Sequence, residues 1–305
     1  MRSPMFALSL ALALAASVTS LASPATAAPG LAPPPPPPAA GNTIPAKTPP
    51  TTTPPPHRGP RNGDGSPGLT AEPVQYFYGG AFQAATSDGA VGTFTAYPGL
   101  LADPAGSHSL VELAVESADS KQIVEIGLTI DQGLNGNSRL PGLFVYHWVD
   151  GAPTCYNACG FVRVLTDPAF NTPFVANSIH RLAIQHRDGA WWLYDSYKLT
   201  PLGNSRGGWL GYFPDDLWGG RYTKAGEIQW FGEVSATTST PCTDMGNGQF
   251  PSDTSASIQG MGLLGGPAVN YFLNRPKPSL YDANFGPLGG PTPVDSVRYG
   301  GPGAC

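Results

Sequence analysis

The sequence predicts an all-β fold, an antiparallel sandwich or barrel. Three observations carry this. Helical periodicity of apolar residues is nearly absent beyond residue 70. In its place, apolar and polar residues alternate over short runs rich in Val, Ile, Phe, Tyr and Trp. Gly, Pro, Asn and Asp separate those runs, as residues that turn a chain between strands should.

The chain opens differently. Arg2, an apolar run from Phe6 to Ala16 and small residues around Ala25–Ala27 have the build of a secretory signal peptide, assigned to residues 1–28. The apolar run is shorter than a bilayer-spanning helix requires, and no later stretch is long and apolar enough to span. A secreted protein with no membrane association after signal cleavage is expected. Residues 29–70, from "GLAPPPPPPAAGNTIPAKTPPTTTPPPHRG" onward, contain almost nothing that could enter a core and read as a disordered, proline-rich linker.

The β domain is assigned to residues 71–305. Its expected strands lie in "QYFYGGAFQAA", "AVGTFTAY", "SLVELAVES", "QIVEIGLTI", "GLFVYHWV", "GFVRVL", "HRLAIQH", "AWWLYDSYKL", "GWLGYF" and "EIQWFGEVSA". The clearest hairpin is "HRLAIQH-RDG-AWWLYDS", with Asp188-Gly189 in the turn. Export allows the four cysteines to form two disulfides. Cys155 and Cys159 are close enough to clip a tight loop, leaving Cys242 to staple Cys305 at the C-terminus. A zinc site is disfavoured, because no CxxC pair occurs.

Charge is sparse: 12% of residues are charged and the net is -5. Four bases and one acid fall in residues 1–67, so the remainder carries twelve bases and twenty acids, a net of -8. An acidic body argues against nucleic acid or an anionic membrane as partner. The sequence leaves the oligomeric state open.

Strand alternation singles out two carboxylates. In "KQIVEIGLTI", Val124, Ile126, Leu128 and Ile130 share a core face, which puts Glu125 on the other face with Gly127 and Thr129. Gly127 leaves room beside Glu125, and a strand glycine often marks close approach by a ligand or another backbone. In "EIQWFGEVS", Ile228, Trp230 and Val234 face the core, and Gln229, Phe231 and Glu233 face away. If the strands are neighbours, Glu125 and Glu233 face one another across a groove. Two close carboxylates cannot both ionise easily, and one base plus one acid is what hydrolysis by an activated water needs. Against this, a lone Glu on an outer strand face is ordinarily solvated. Glu112 and Glu116 share such a face, with nothing else to recommend them.

Other chemistries fare worse. "GNSRG", residues 203–207, matches G-x-S-x-G but precedes a strand-like run rather than a helix. His180 and His186 share one strand face without an acidic ligand at metal spacing. No cofactor or metal is indicated.

The ordered motifs resemble the neprosin family of secreted glutamic endopeptidases, over roughly Val74 to Pro251. They are "YFYGGAF", "HSLVELAVES", "QIVEIGLTI", "TCYNACGFVRV", "GAWWLY", "GWLGYFPDDLW", "IQWFGEV" and "TDMGNGQFP". The resemblance implies a β-sandwich of two antiparallel sheets with a cleft on its concave face. It implies catalytic glutamates at Glu125 and Glu233, a polypeptide substrate cut on the carboxyl side of proline, and activity in acid. Gln229, Phe231 and Tyr156 are the candidates for cleft lining. Leu128 stands where the family usually has Trp, and by alternation it packs in the core. Plant members carry a folded inhibitory pro-domain where this chain has its proline-rich segment. The competing readings are a glycoside hydrolase, which also uses two carboxylates, and a non-catalytic carbohydrate- or wall-binding module.

Overall fold

The computed structural model describes residues 74–102, 107–136, 138–286 and 295–305. The expected signal peptide and linker, 1–28 and 29–70, lie outside the described residues.

Fifteen strands occur among the described residues: β1 Gln75–Ser87, β2 Gly89–Thr95, β3 His108–Glu116, β4 Ile123–Asp131, β5 Gly142–Val149, β6 Ala152–Pro153, β7 Val162–Arg163, β8 Ile179–Arg187, β9 Ala190–Lys198, β10 Arg206–Pro214, β11 Ala225–Ala236, β12 Ala256–Leu264, β13 Phe272–Asn274, β14 Asp282–Phe285 and β15 Val297–Gly300. One α-helical turn, α1 Gln132–Asn135, and one 3-10 turn, Asp215–Trp218, complete them. The strands form two antiparallel sheets. One runs β13-β1-β11-β3-β4-β5-β6, the other β14-β15-β12-β2-β8-β9-β10-β7. The fold is the expected β-sandwich.

Alternation explains the core. Val124, Ile126 and Leu128 from β4, Val111 and Leu113 from β3, and Ile228, Trp230 and Val234 from β11 enter one apolar cluster. Phe94, Leu182, Ile184, Trp191 and Leu193 meet them from the facing sheet. The Trp230 indole N–H donates to the Val91 carbonyl across the sandwich at 3.1 Å, so the buried ring leaves no polar cost. Leu128 lies in this core, 1% exposed. Gly232 is required there as well: a Cβ on it would come within 2.5 Å of the Tyr299 ring.

Both expected disulfides form, Cys155–Cys159 and Cys242–Cys305. The β8–β9 hairpin turns on Asp188 and Gly189, with φ of 52° and 79°, the left-handed pair of a two-residue turn. Only Val162 and Arg163 of the expected "GFVRVL" strand are in strand conformation. The four strands after residue 250 were not expected. No helix among the described residues is long and apolar enough to cross a membrane.

Candidate active site

The site is built on the face of the first sheet turned away from the sandwich core. Strand register fixes its rows. Glu233 of β11 pairs with Leu110 of β3, which pairs with Thr129 of β4. The next row is Phe231, Glu112, Gly127 and Phe144. The next is Gln229, Ala114, Glu125 and Tyr146. Glu125 and Glu233 therefore share one face, on the two strands that flank β3. On a flat sheet their Cα atoms would stand about 17 Å apart, from ~3.4 Å per residue and ~4.8 Å per strand.

Tyr156 shows how the charges converge. It lies in the loop clipped by Cys155–Cys159, fully buried, its ring against Phe144 and Tyr146 at centroid distances of 5.4 and 5.0 Å. Burial first, then the negative charges of Asp131, Glu112, Glu233 and Glu125, push its phenol well above the usual range. One hydroxyl thus feels both glutamates and the acid between them.

Each glutamate has a nitrogen donor beside it. The Trp148 indole N–H donates to Glu125 Oε1 at 3.0 Å. Glu125 also helps raise the Tyr146 phenol, though burial is the larger cause. His108 Nε2 stands 2.5 Å from Glu233 Oε1. Glu125 is 2% exposed and Glu233 is fully buried. Such groups hold charge away from bulk water only where donors replace hydration.

Two expectations need correction. Glu112 and Glu116 are not solvated; they are 0% and 1% exposed, on the same face as Glu125. The signal that could have found them is the pairing of Glu112 with Gly127, which alternation within one strand cannot see. The room left by Gly127 is not open to a ligand beside Glu125. A Cβ there would lie 2.6 Å from the Glu112 Cβ and 2.7 Å from the Phe144 ring, so the glycine admits Glu112. Gln229 is on the site face but already engaged, donating to Glu116 Oε1 at 2.6 Å and Glu227 Oε1 at 3.0 Å. Phe231 lies in a small apolar cluster on this face with Leu110, Ala114 and Phe144. His108 was missed altogether, since a histidine opening a strand carries no pattern of its own.

Competing sites fail on geometry. Ser205 is exposed in the irregular segment just before β10, with no helix behind it. Ser178, His180 and Asp195 are linked as a nucleophilic triad would be, at 3.0 Å for Ser178–His180 and 3.0 Å for His180–Asp195. All three are fully buried, the imidazole between Phe174 and Tyr197, so a substrate cannot reach the hydroxyl. His186 pairs with Asp215 at 3.0 Å. No group of three or more metal-ligating side chains occurs among the described residues.

Residues 105–302 match the family described as Neprosin. Similar solved structures include scytalido-glutamic peptidase with a transition state analog inhibitor, at 9% identity and a TM-score of 0.37. The same peptidase with a peptide-based transition state analog gives 8% and 0.35. SCP-B, a member of the eqolisin family of peptidases, in complex with the tripeptide Ala-Ile-His gives 9% and 0.34. Each alignment covers 75% of this chain and 98% of the other. At these scores the likeness is distant, and the site is read from its own geometry.

Proposed function

The chain belongs to the neprosin family, which makes it a peptidase, and on that premise we propose that it is a secreted glutamic endopeptidase acting through Glu125 and Glu233. The observation that carries this reading is the shared setting of the two acids. They are buried on one sheet face, on strands either side of β3, and both charges bear on the Tyr156 hydroxyl.

In the proposed reaction one glutamate is ionised and takes a proton from water. The water oxygen forms a bond to the scissile carbonyl carbon, while the other glutamate gives its proton to the carbonyl oxygen. The first glutamate then passes its proton to the amide nitrogen as the C–N bond breaks. The second recovers its proton from the collapsing diol. Water and peptide are consumed, acid and amine are formed, and both carboxyls return to their starting states. Unperturbed Glu titrates near ~4.3, so a pair sharing one proton works in mild acid.

Cleavage on the carboxyl side of proline is the finer part of the proposal, drawn from family membership. Export by the 1–28 segment, the 29–70 linker and the 71–305 catalytic domain, read from the sequence, are further parts of the proposal. The test compares two fluorogenic peptides at pH 3 to 6, differing only in Pro or Ala before the scissile bond. At least a tenfold preference in kcat/KM for Pro is expected. Glu125→Gln and Glu233→Gln should each lose about 10²- to 10⁴-fold in kcat, the range of a proton-transfer group. Wild-type rates in both variants remove the pair from the chemistry. Equal rates on the two peptides remove the proline preference alone.

A further inference from the structure

We propose that His108 is a positioning residue that fixes the Glu233 carboxylate in the site, an inference that rests on the reading of Glu233 as catalytic. His108 opens β3, one row beyond Leu110, and is 4% exposed. Its backbone N–H donates to Ser235 Oγ at 2.8 Å, which ties the start of β3 to β11 two residues past Glu233. That tether fixes where the imidazole enters the face. The ring then crosses diagonally to Glu233, Nε2 to Oε1 at 2.5 Å. Tyr76 of β1 flanks it, ring centroids 6.2 Å apart.

The contact separates the two oxygens of Glu233. With Nε2 as the donor, its N–H holds Oε1 and sets the orientation of the whole carboxylate. A donor fixed on one oxygen holds a carboxylate in a single orientation, which is what a group that must meet both water and substrate requires. Other titratable groups surround the pair. On the same face are Tyr76 and Tyr78 of β1, Glu112 of β3 and Asp131 of β4, with Tyr156 from the disulfide loop. Asp131 is committed elsewhere, its Oδ1 accepting the Gly133 and Leu134 amides at the start of α1. His108 is the only histidine, lysine or arginine in β1, β3, β4, β5 or β11 that shares the face; His147 of β5 points into the sandwich core.

The test measures kcat and KM on the proline peptide for wild type, Glu233→Gln, His108→Phe and His108→Gln. His108→Phe keeps the ring volume and removes the donor; His108→Gln restores an N–H donor. The expected result is a loss of about 10- to 100-fold in kcat for His108→Phe, the worth of a hydrogen bond to a charged group. KM should stay within about threefold, and His108→Gln should recover most of the loss. If Glu233→Gln is inactive while His108→Phe keeps wild-type kcat, or if both His108 variants lose equally, the positioning role is overturned and the glutamate reading stands. If Glu233→Gln keeps wild-type kcat, both fall. The imidazole ¹⁵N shifts of His108, read in wild type and Glu233→Gln, report the contact apart from activity. Identical shifts contradict it.

Discussion

His147 carries a pH dependence of its own. It lies on the core face of β5, 1% exposed, its ring 4.5 Å from Phe213 and 5.6 Å from Trp218. Burial lowers its pKa from 6.5 to about 4. Between those values the unfolded chain binds a proton that the folded chain does not. Stability therefore falls as pH drops through 6.5 and levels off near 4, by about 3 kcal/mol at ~1.4 kcal/mol per unit. His147→Phe keeps the ring contacts, and the Thr154 hydroxyl still donates to the residue 147 carbonyl. Urea midpoints at pH 7 and pH 4.5 should show a smaller acid loss in the variant than in wild type. At this same scale the two catalytic candidates were legible, because alternation within a strand says which side chains leave the core. What sits beside them was not. His108 reaches Glu233 from a neighbouring strand, and Glu112 fills the space at Gly127 from the same strand; register between strands is set by pairing that a single run does not encode.

Elements divide the same way. The β8–β9 hairpin was plain, because Asp188-Gly189 joins two alternating runs and both residues take positive φ. Strands β12–β15 were not. Their segment is rich in glycine and proline, which depress strand signal, and Gly260 and Gly265 take φ of 56° and 60° within and just after β12. Their pairing is supplied by the rest of the fold: β12 adds to β2, and β15 adds to β12. "GFVRVL" erred in the other direction. Its strand ends at Arg163, whose guanidinium turns back to bond the Leu165, Thr166 and Pro168 carbonyls and shapes a loop instead. The disulfide loop at Cys155–Cys159 has a distinct task, to seat Tyr156 over the acidic face.

For the molecule as a whole, the two disulfides constrain very different lengths of chain. Cys155–Cys159 closes a separation of 4 residues and Cys242–Cys305 a separation of 63. Chain entropy assigns about 2 kcal/mol to the first and about 4 kcal/mol to the second. The longer link also secures the last strand. Beside it Ala304 N–H donates to the Pro241 carbonyl and Met245 N–H to Gly301, holding β15 against the sandwich. Replacing both cysteines of each pair by Ser should lower the urea midpoint about twice as far for Cys242/Cys305, while the Cys155/Cys159 change should act more on kcat by loosening Tyr156. The central claim is that Glu125 and Glu233 act as one catalytic unit, and a double-mutant cycle tests it most directly. Single-turnover rates on the proline peptide at pH 4 are compared for Glu125→Gln, Glu233→Gln and the double variant. Groups that share one water and one proton are non-additive, so the double variant should be no slower than the slower single. Losses that multiply, or a single variant at the wild-type rate, would contradict it.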